Sequence, residues 1–154
     1  MKAKILLLTI LSPIYFAKAE VPKEYKELMA KTGIIEGQYK TVDKASKECD
    51  SLEIRFVFPE DEAPSIIDGA SPLFESLGKS NSYTERDCKR TIKSILEKHK
   101  ISQDISVQCK KKGNYTFHTS SELIDGNLRI TRKVTKNKKV TESSSCTYKY
   151  AKKN

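Results

Sequence analysis

Apolar and polar side chains alternate with a period of two through residues 105–150, and three turn signals divide that stretch into four strands. The middle signal is Asp125-Gly126, which suits a two-residue hairpin because both positions accept positive φ at low cost. It sets Leu123 opposite Leu128, Ser121 opposite Ile130, Thr119 opposite Arg132, Phe117 opposite Val134 and Tyr115 opposite Lys136. Lys111-Lys112-Gly113 suits a three-residue hairpin with glycine in the left-handed position, placing Cys109 against Tyr115 and Val107 against Phe117. Asn137-Lys138-Lys139, as a three-residue loop, pairs Lys136 with Val140, Ile130 with Cys146 and Leu128 with Tyr148. Each turn is assigned from local chemistry alone. All three agree in placing Ile105, Val107, Tyr115, Phe117, Ile130, Val134, Val140 and Tyr148 on one face. A slip of one residue would turn that whole set to solvent, so the register is strongly specified.

The preceding chain is patterned less regularly. Residues 22–31 predict a short helix with Tyr25, Leu28 and Met29 on one face and Gly33 as its stop, a plug for one end of the domain. Gly37-Gln38-Tyr39 opens a strand running to about Asp43. Leu52, Ile54, Phe56 and Phe58 alternate with Glu53 and Arg55 in a second strand, ended by Pro59. Residues 63–82, broken by Pro64, Asp68-Gly69, Pro72 and Gly78, read as a strand plus a long loop covering one end. Residues 82–100 carry two patterns. Ser82-x-x-Glu85 with Cys88, Ile92, Ile95 and Leu96 fits a capped helix, whereas the stretch from Arg90 to Leu96 fits a strand folding back across Lys98-His99-Lys100. The neighbouring meander favours the strand. The fold class expected is all-β: an antiparallel up-and-down meander of about eight strands, closing into a barrel or strongly curved sheet, with a short N-terminal helix.

The first residues alter the compartment. Lys2 and Lys4 precede an apolar run over residues 5–16, and Ala17-Lys18-Ala19 fits a small-x-small cleavage site. Residues 1–19 are therefore expected to be a signal peptide cut after Ala19, leaving residues 20–154 as a single secreted or periplasmic domain with no transmembrane segment. In that compartment the four cysteines read as two disulfides. Three pairings are possible; Cys49 with Cys146 and Cys88 with Cys109 is favoured, since the first would tie the opening strands to the closing one.

Charge is unevenly spread. Residues 20–87 hold 9 basic and 15 acidic side chains, and residues 88–154 hold 17 basic and 5 acidic. Alternate turns of a meander emerge at the same end, so Lys110, Lys111 and Lys112 should meet Lys136, Lys138 and Lys139 on one rim. Such a rim would attract an anionic envelope polymer or lipid headgroups, or dock on another protein, for example as an inhibitor of an envelope-directed enzyme. Lysines at turn tips more often serve solubility and guard strand edges. Nucleic acid is disfavoured, because no aromatic side chain is evidently presented outward for stacking. Arg132 falls on the inward phase, with Glu142 diagonal to it. Either the two pair, as a salt bridge at one end of the barrel, or Arg132 holds an acidic ligand. Glu60-Asp61-Glu62 lacks the spaced oxygen ligands and central glycine of a calcium loop and reads as a solvated turn.

No catalytic constellation is recognisable. His99 and His118 are the only histidines, and neither accompanies a nucleophile in a known setting. Zinc spacing and a phosphate-binding glycine loop are missing too, so neither metal nor cofactor is expected.

Gly37-Gln38-Tyr39 is similar to the Gly-x-Trp of lipocalin-like barrels, with tyrosine in place of tryptophan. The closing run Cys146-Thr147-Tyr148-Lys149-Tyr150 offers a cysteine and a basic residue where such barrels often place them. The chain thus resembles small secreted bacterial lipocalin-like proteins. The resemblance implies an up-and-down barrel that binds a small apolar or amphipathic ligand at its mouth or in its interior, and it carries over no catalytic residue. Tyr115, Phe117, Arg132 and Tyr148 are the candidate interior residues.

Overall fold

The alternating segments form one antiparallel sheet in a computed structural model that describes residues 23–42, 49–60 and 62–153. The expected signal peptide and its cut after Ala19 lie outside the described residues, as does Asp61. Helix α1 (Lys23–Thr32) precedes β1 (Gly37–Thr41), β2 (Leu52–Val57), β3 (Ser65–Asp68), β4 (Ser71–Phe74) and β5 (Ser80–Glu85). The long strands follow: β6 (Cys88–Glu97), β7 (Lys100–Cys109), β8 (Gly113–Ile124), β9 (Asn127–Lys136) and β10 (Lys139–Lys152). The described residues therefore hold ten strands where about eight are expected. The two extra come from residues 63–82, where Asp68 pairs with Ser71 across a tight turn at Gly69-Ala70, so the expected long loop is a hairpin. Residues 82–100 form strands and not a helix: the end of β5, all of β6 and the start of β7, with turns at Arg86-Asp87 and Lys98-His99. Ile95, which a helix would have turned inward, is 47% exposed, and Ile92 is buried, as period two demands.

The strand order is β4-β3-β2-β1-β10-β9-β8-β7-β6-β5. Every strand pairs with its chain neighbour except β4 with β5, and β1 pairs with β10. This is the ring of an up-and-down meander opened at one seam, so the sheet is curved and not closed by hydrogen bonds. The seam is spanned by residues 75–79 through side chains. Ser94 Oγ donates to the carbonyls of Ser76 (3.2 Å) and Lys79 (3.3 Å), and Asn81 Nδ2 donates to Ser76 Oγ (3.1 Å). Ile66, Leu73 and Phe74 thereby join Ile101, Leu128, Ile130 and Tyr148 in one core.

α1 plugs one end of that core with Leu28 buried and Tyr25 and Met29 packed behind it. It stops at Gly33, whose φ of 71° lets its N–H return to the Met29 carbonyl at 2.8 Å. His99 ties the helix to the sheet through its backbone. Its N–H donates to the Lys31 carbonyl and its carbonyl accepts from Leu123 N–H, both at 2.9 Å. Disulfides join Cys49 to Cys146 and Cys88 to Cys109, the pairing that the order of the strands favours.

The Asp125-Gly126 hairpin has the expected register along its whole length, from Leu123 opposite Leu128 to Tyr115 opposite Lys136. The flanking turns differ. The loop between β7 and β8 is Lys110-Lys111-Lys112, which pairs Cys109 with Gly113 and Val107 with Tyr115. Gly113 is the first strand residue, and its φ of 85° absorbs the kink there. The resulting shift of two residues leaves every side chain on its expected face. Between β9 and β10 the loop is only Asn137-Lys138, both at positive φ, followed by a bulge at Thr141. Beyond the bulge Cys146 faces Ile130 and Tyr148 faces Leu128, as expected. Val140 lies before it, opposite Thr135, and so points to the outer face, 53% exposed.

Candidate ligand groove and lysine rim

The inner face of β6–β10 changes character along the strands. At the helix end Ile101, Ser121, Leu128 and Tyr148 are buried beneath the β2–β4 layer. Towards the lysine end the cover thins to the β4 edge, Pro72 and Leu73, and Phe117 is 40% exposed although it shares a face with the core. Tyr148 is thus an interior residue, Tyr115 is half-buried, and Phe117 and Arg132 face an open trough.

Two adjoining grooves form the trough. One, of about 640 Å³, is lined by Arg132, Val134, Glu142 and Ser144 with Thr141 and Ser143. The other, of about 360 Å³, is lined by Ile105, Val107, Phe117 and Thr119 with Arg90, Gln103 and the β4 residues Pro72 and Leu73. They meet at the Phe117–Val134 and Thr119–Arg132 pairs, so an apolar strip runs from Val107 to Val134 with a guanidinium beside it. The expected Arg132–Glu142 pair does not form: the two are exposed, and Arg132 makes no ion pair among the described residues. Arg90 is held by Glu75 instead.

The six rim lysines are all exposed. Asn137 locks their two turns together. Its N–H donates to the Asn114 carbonyl at 2.8 Å, and its Oδ1 accepts from Asn114 N–H at 3.1 Å. A side chain at Gly113 would meet that Oδ1 at 3.0 Å, so the close approach requires glycine. Lys136 extends over the Tyr115 ring, Nζ to centroid 5.3 Å. Lys110 N–H donates to the Asp87 carbonyl at 3.2 Å, which brings the Arg86-Asp87 turn to the same end.

On the outer face His118 Nδ1 lies 2.7 Å from Asp104 Oδ1, both side chains partly exposed. Among the described residues no three His, Cys, Asp or Glu side chains gather as a metal site, and no helix is long and apolar enough to cross a membrane. At the plugged end, burial pushes the Tyr39 phenol above its usual pKa, and Tyr25 is raised by burial and by the nearby Glu36 carboxylate.

The sequence reading passed over Gln103, Arg90 and Glu75, which set one wall of the trough. Gln103 left a legible signal: it is a polar residue on the inward phase of β7, between Ile101 and Ile105. Glu75 left none, since its place depends on where the β4 edge comes to rest.

No family model matches the chain, and no curated protein or solved structure shows a significant similarity to it.

Proposed function

We propose that this is a secreted, non-enzymatic, lipocalin-like binding protein whose ligand is a small amphipathic molecule with an anionic head. The observation that carries the reading is the exposure of Phe117, on the face that forms the core further along the strands, in register with Val134 and beside an exposed Arg132 that makes no ion pair among the described residues. An apolar strip left open in this way is a contact surface. The tail would lie along Val107, Phe117 and Val134, and the head would reach Arg132 or the lysine rim. Export is supported by the two disulfides, which persist in an oxidising compartment.

Titration with a fluorescent long-chain fatty-acid analogue tests the proposal. Saturable binding is expected, weakened at least tenfold by Phe117→Ala and weakened by salt. No saturable binding, or binding indifferent to Phe117→Ala, overturns it.

The Asn137–Asn114 lock favours a second reading, in which the rim docks on an anionic envelope polymer or lipid surface without using the trough. Binding to vesicles containing anionic lipid would then disappear when the six lysines are replaced by glutamine and would ignore Phe117→Ala.

A further inference from the structure

The seam leaves two strand edges, β4 and β5, and they are not equivalent. β4 contains Pro72, which has no N–H to offer, and its Leu73 and Phe74 are buried. β5 reads Ser80-Asn81-Ser82-Tyr83-Thr84-Glu85, is exposed at every position except the half-buried Asn81, and carries neither proline nor lysine within the strand. Free edges are usually guarded by such residues. Glu85 pairs with Cys88 across the two-residue turn Arg86-Asp87, so its backbone groups face β6, as do those of Tyr83 and Asn81. The N–H and C=O groups of Ser80, Ser82 and Thr84 therefore point outward.

We propose that this edge pairs antiparallel with the same edge of a second copy of the chain, centred on Ser82. In that register Ser82 meets its own counterpart and Ser80 meets Thr84 of the second copy at both ends. About six backbone hydrogen bonds form. Lys79 and Glu85 select a second copy as the occupant. They lie three residues either side of Ser82; Glu85 is on the phase of Asn81 and Tyr83, and Lys79, just before the strand, lines one groove with those two, so each lysine falls opposite the glutamate of the other copy. Neither makes an ion pair among the described residues. Tyr83, 42% exposed, is covered by Asn81 of the second copy. An interface of one short strand is small, so the dimer is weak, dissociating in the range of about 10 μM to 1 mM.

Sedimentation velocity of the mature chain across that range tests this. Reversible dimerisation is expected. Lys79→Glu alone and Glu85→Lys alone each place like charges opposite one another and weaken it at least tenfold. An equimolar mixture of those two variants restores opposite charges and associates at least as well as the unchanged chain. Ser82→Pro removes an outward N–H and abolishes pairing. Circular dichroism checks that each variant keeps its fold. A monomer throughout the range overturns the proposal. So does self-association of either charge variant at the unchanged strength, or a mixture no better than its components.

Discussion

The side-chain amide of Gln103 grips the backbone of Glu75: Nε2 donates to the Glu75 carbonyl, and Oε1 accepts from Glu75 N–H at 3.2 Å. A side chain from the middle of β7 thus does for the residue after β4 what a neighbouring strand would have done. Gln103 is 2% exposed, so both bonds are shielded from water. Arg90 holds the Glu75 carboxylate from β6. Together they pin the loose edge of the sheet over its own inner face, which sets how far the cover extends and where the trough begins.

Gln103→Ala should remove both backbone bonds and leave the Glu75 amide groups without partners. A loss of about 2–4 kcal/mol in urea unfolding is expected. Hydrogen exchange should rise first in residues 65–79, while the β8–β9 hairpin stays protected.

The filled and open ends of one face should respond differently to truncation. Leu128, 1% exposed, should cost about 2–5 kcal/mol as Leu128→Ala. Phe117→Ala should cost about 1 kcal/mol or less, because little of its surrounding is packed. Equal losses would mean that the trough is covered in solution.

The disulfides should rank by loop length. Cys49 and Cys146 are 97 residues apart, and Cys88 and Cys109 are 21 apart. Replacing the first pair by serine should cost more than replacing the second by about 1 kcal/mol, the extra chain entropy of the longer loop. Guanidinium midpoints of the two double variants decide it.

Tyr39 sets an alkaline limit. Its hydroxyl is held at Ile35, donating to the carbonyl at 2.9 Å and accepting from the N–H at 3.3 Å. Burial raises its pKa above the usual 10.0, so the folded state keeps the proton that the unfolded chain releases. Tyr39 therefore adds no pH dependence below about pH 10, and stability falls as pH rises from there through the folded pKa. Tyr39→Phe should flatten that fall in denaturation series from about pH 8 to 12. Tyr25, shifted the same way, retains part of it.

Alternation along 105–150 and the chemistry of Asp125-Gly126 determined the β8–β9 register and the face on which Tyr115, Phe117, Ile130 and Tyr148 lie. That result survived a misplaced lysine turn because a shift of two preserves side-chain parity. It failed at Val140, where a one-residue bulge reverses parity and local pattern gives no sign of it. The helical plug was legible in its spacing, whereas the cysteines left three pairings open, of which strand order favoured the one the structure holds without excluding the others. Only the tertiary structure decided where the ring opens, how far β2–β4 reach across the inner face, and hence that Tyr148 is buried while Phe117 and Arg132 meet water. Period two specifies which way a side chain points. What covers it depends on contacts such as Gln103 with Glu75, 28 residues apart, which no local pattern encodes.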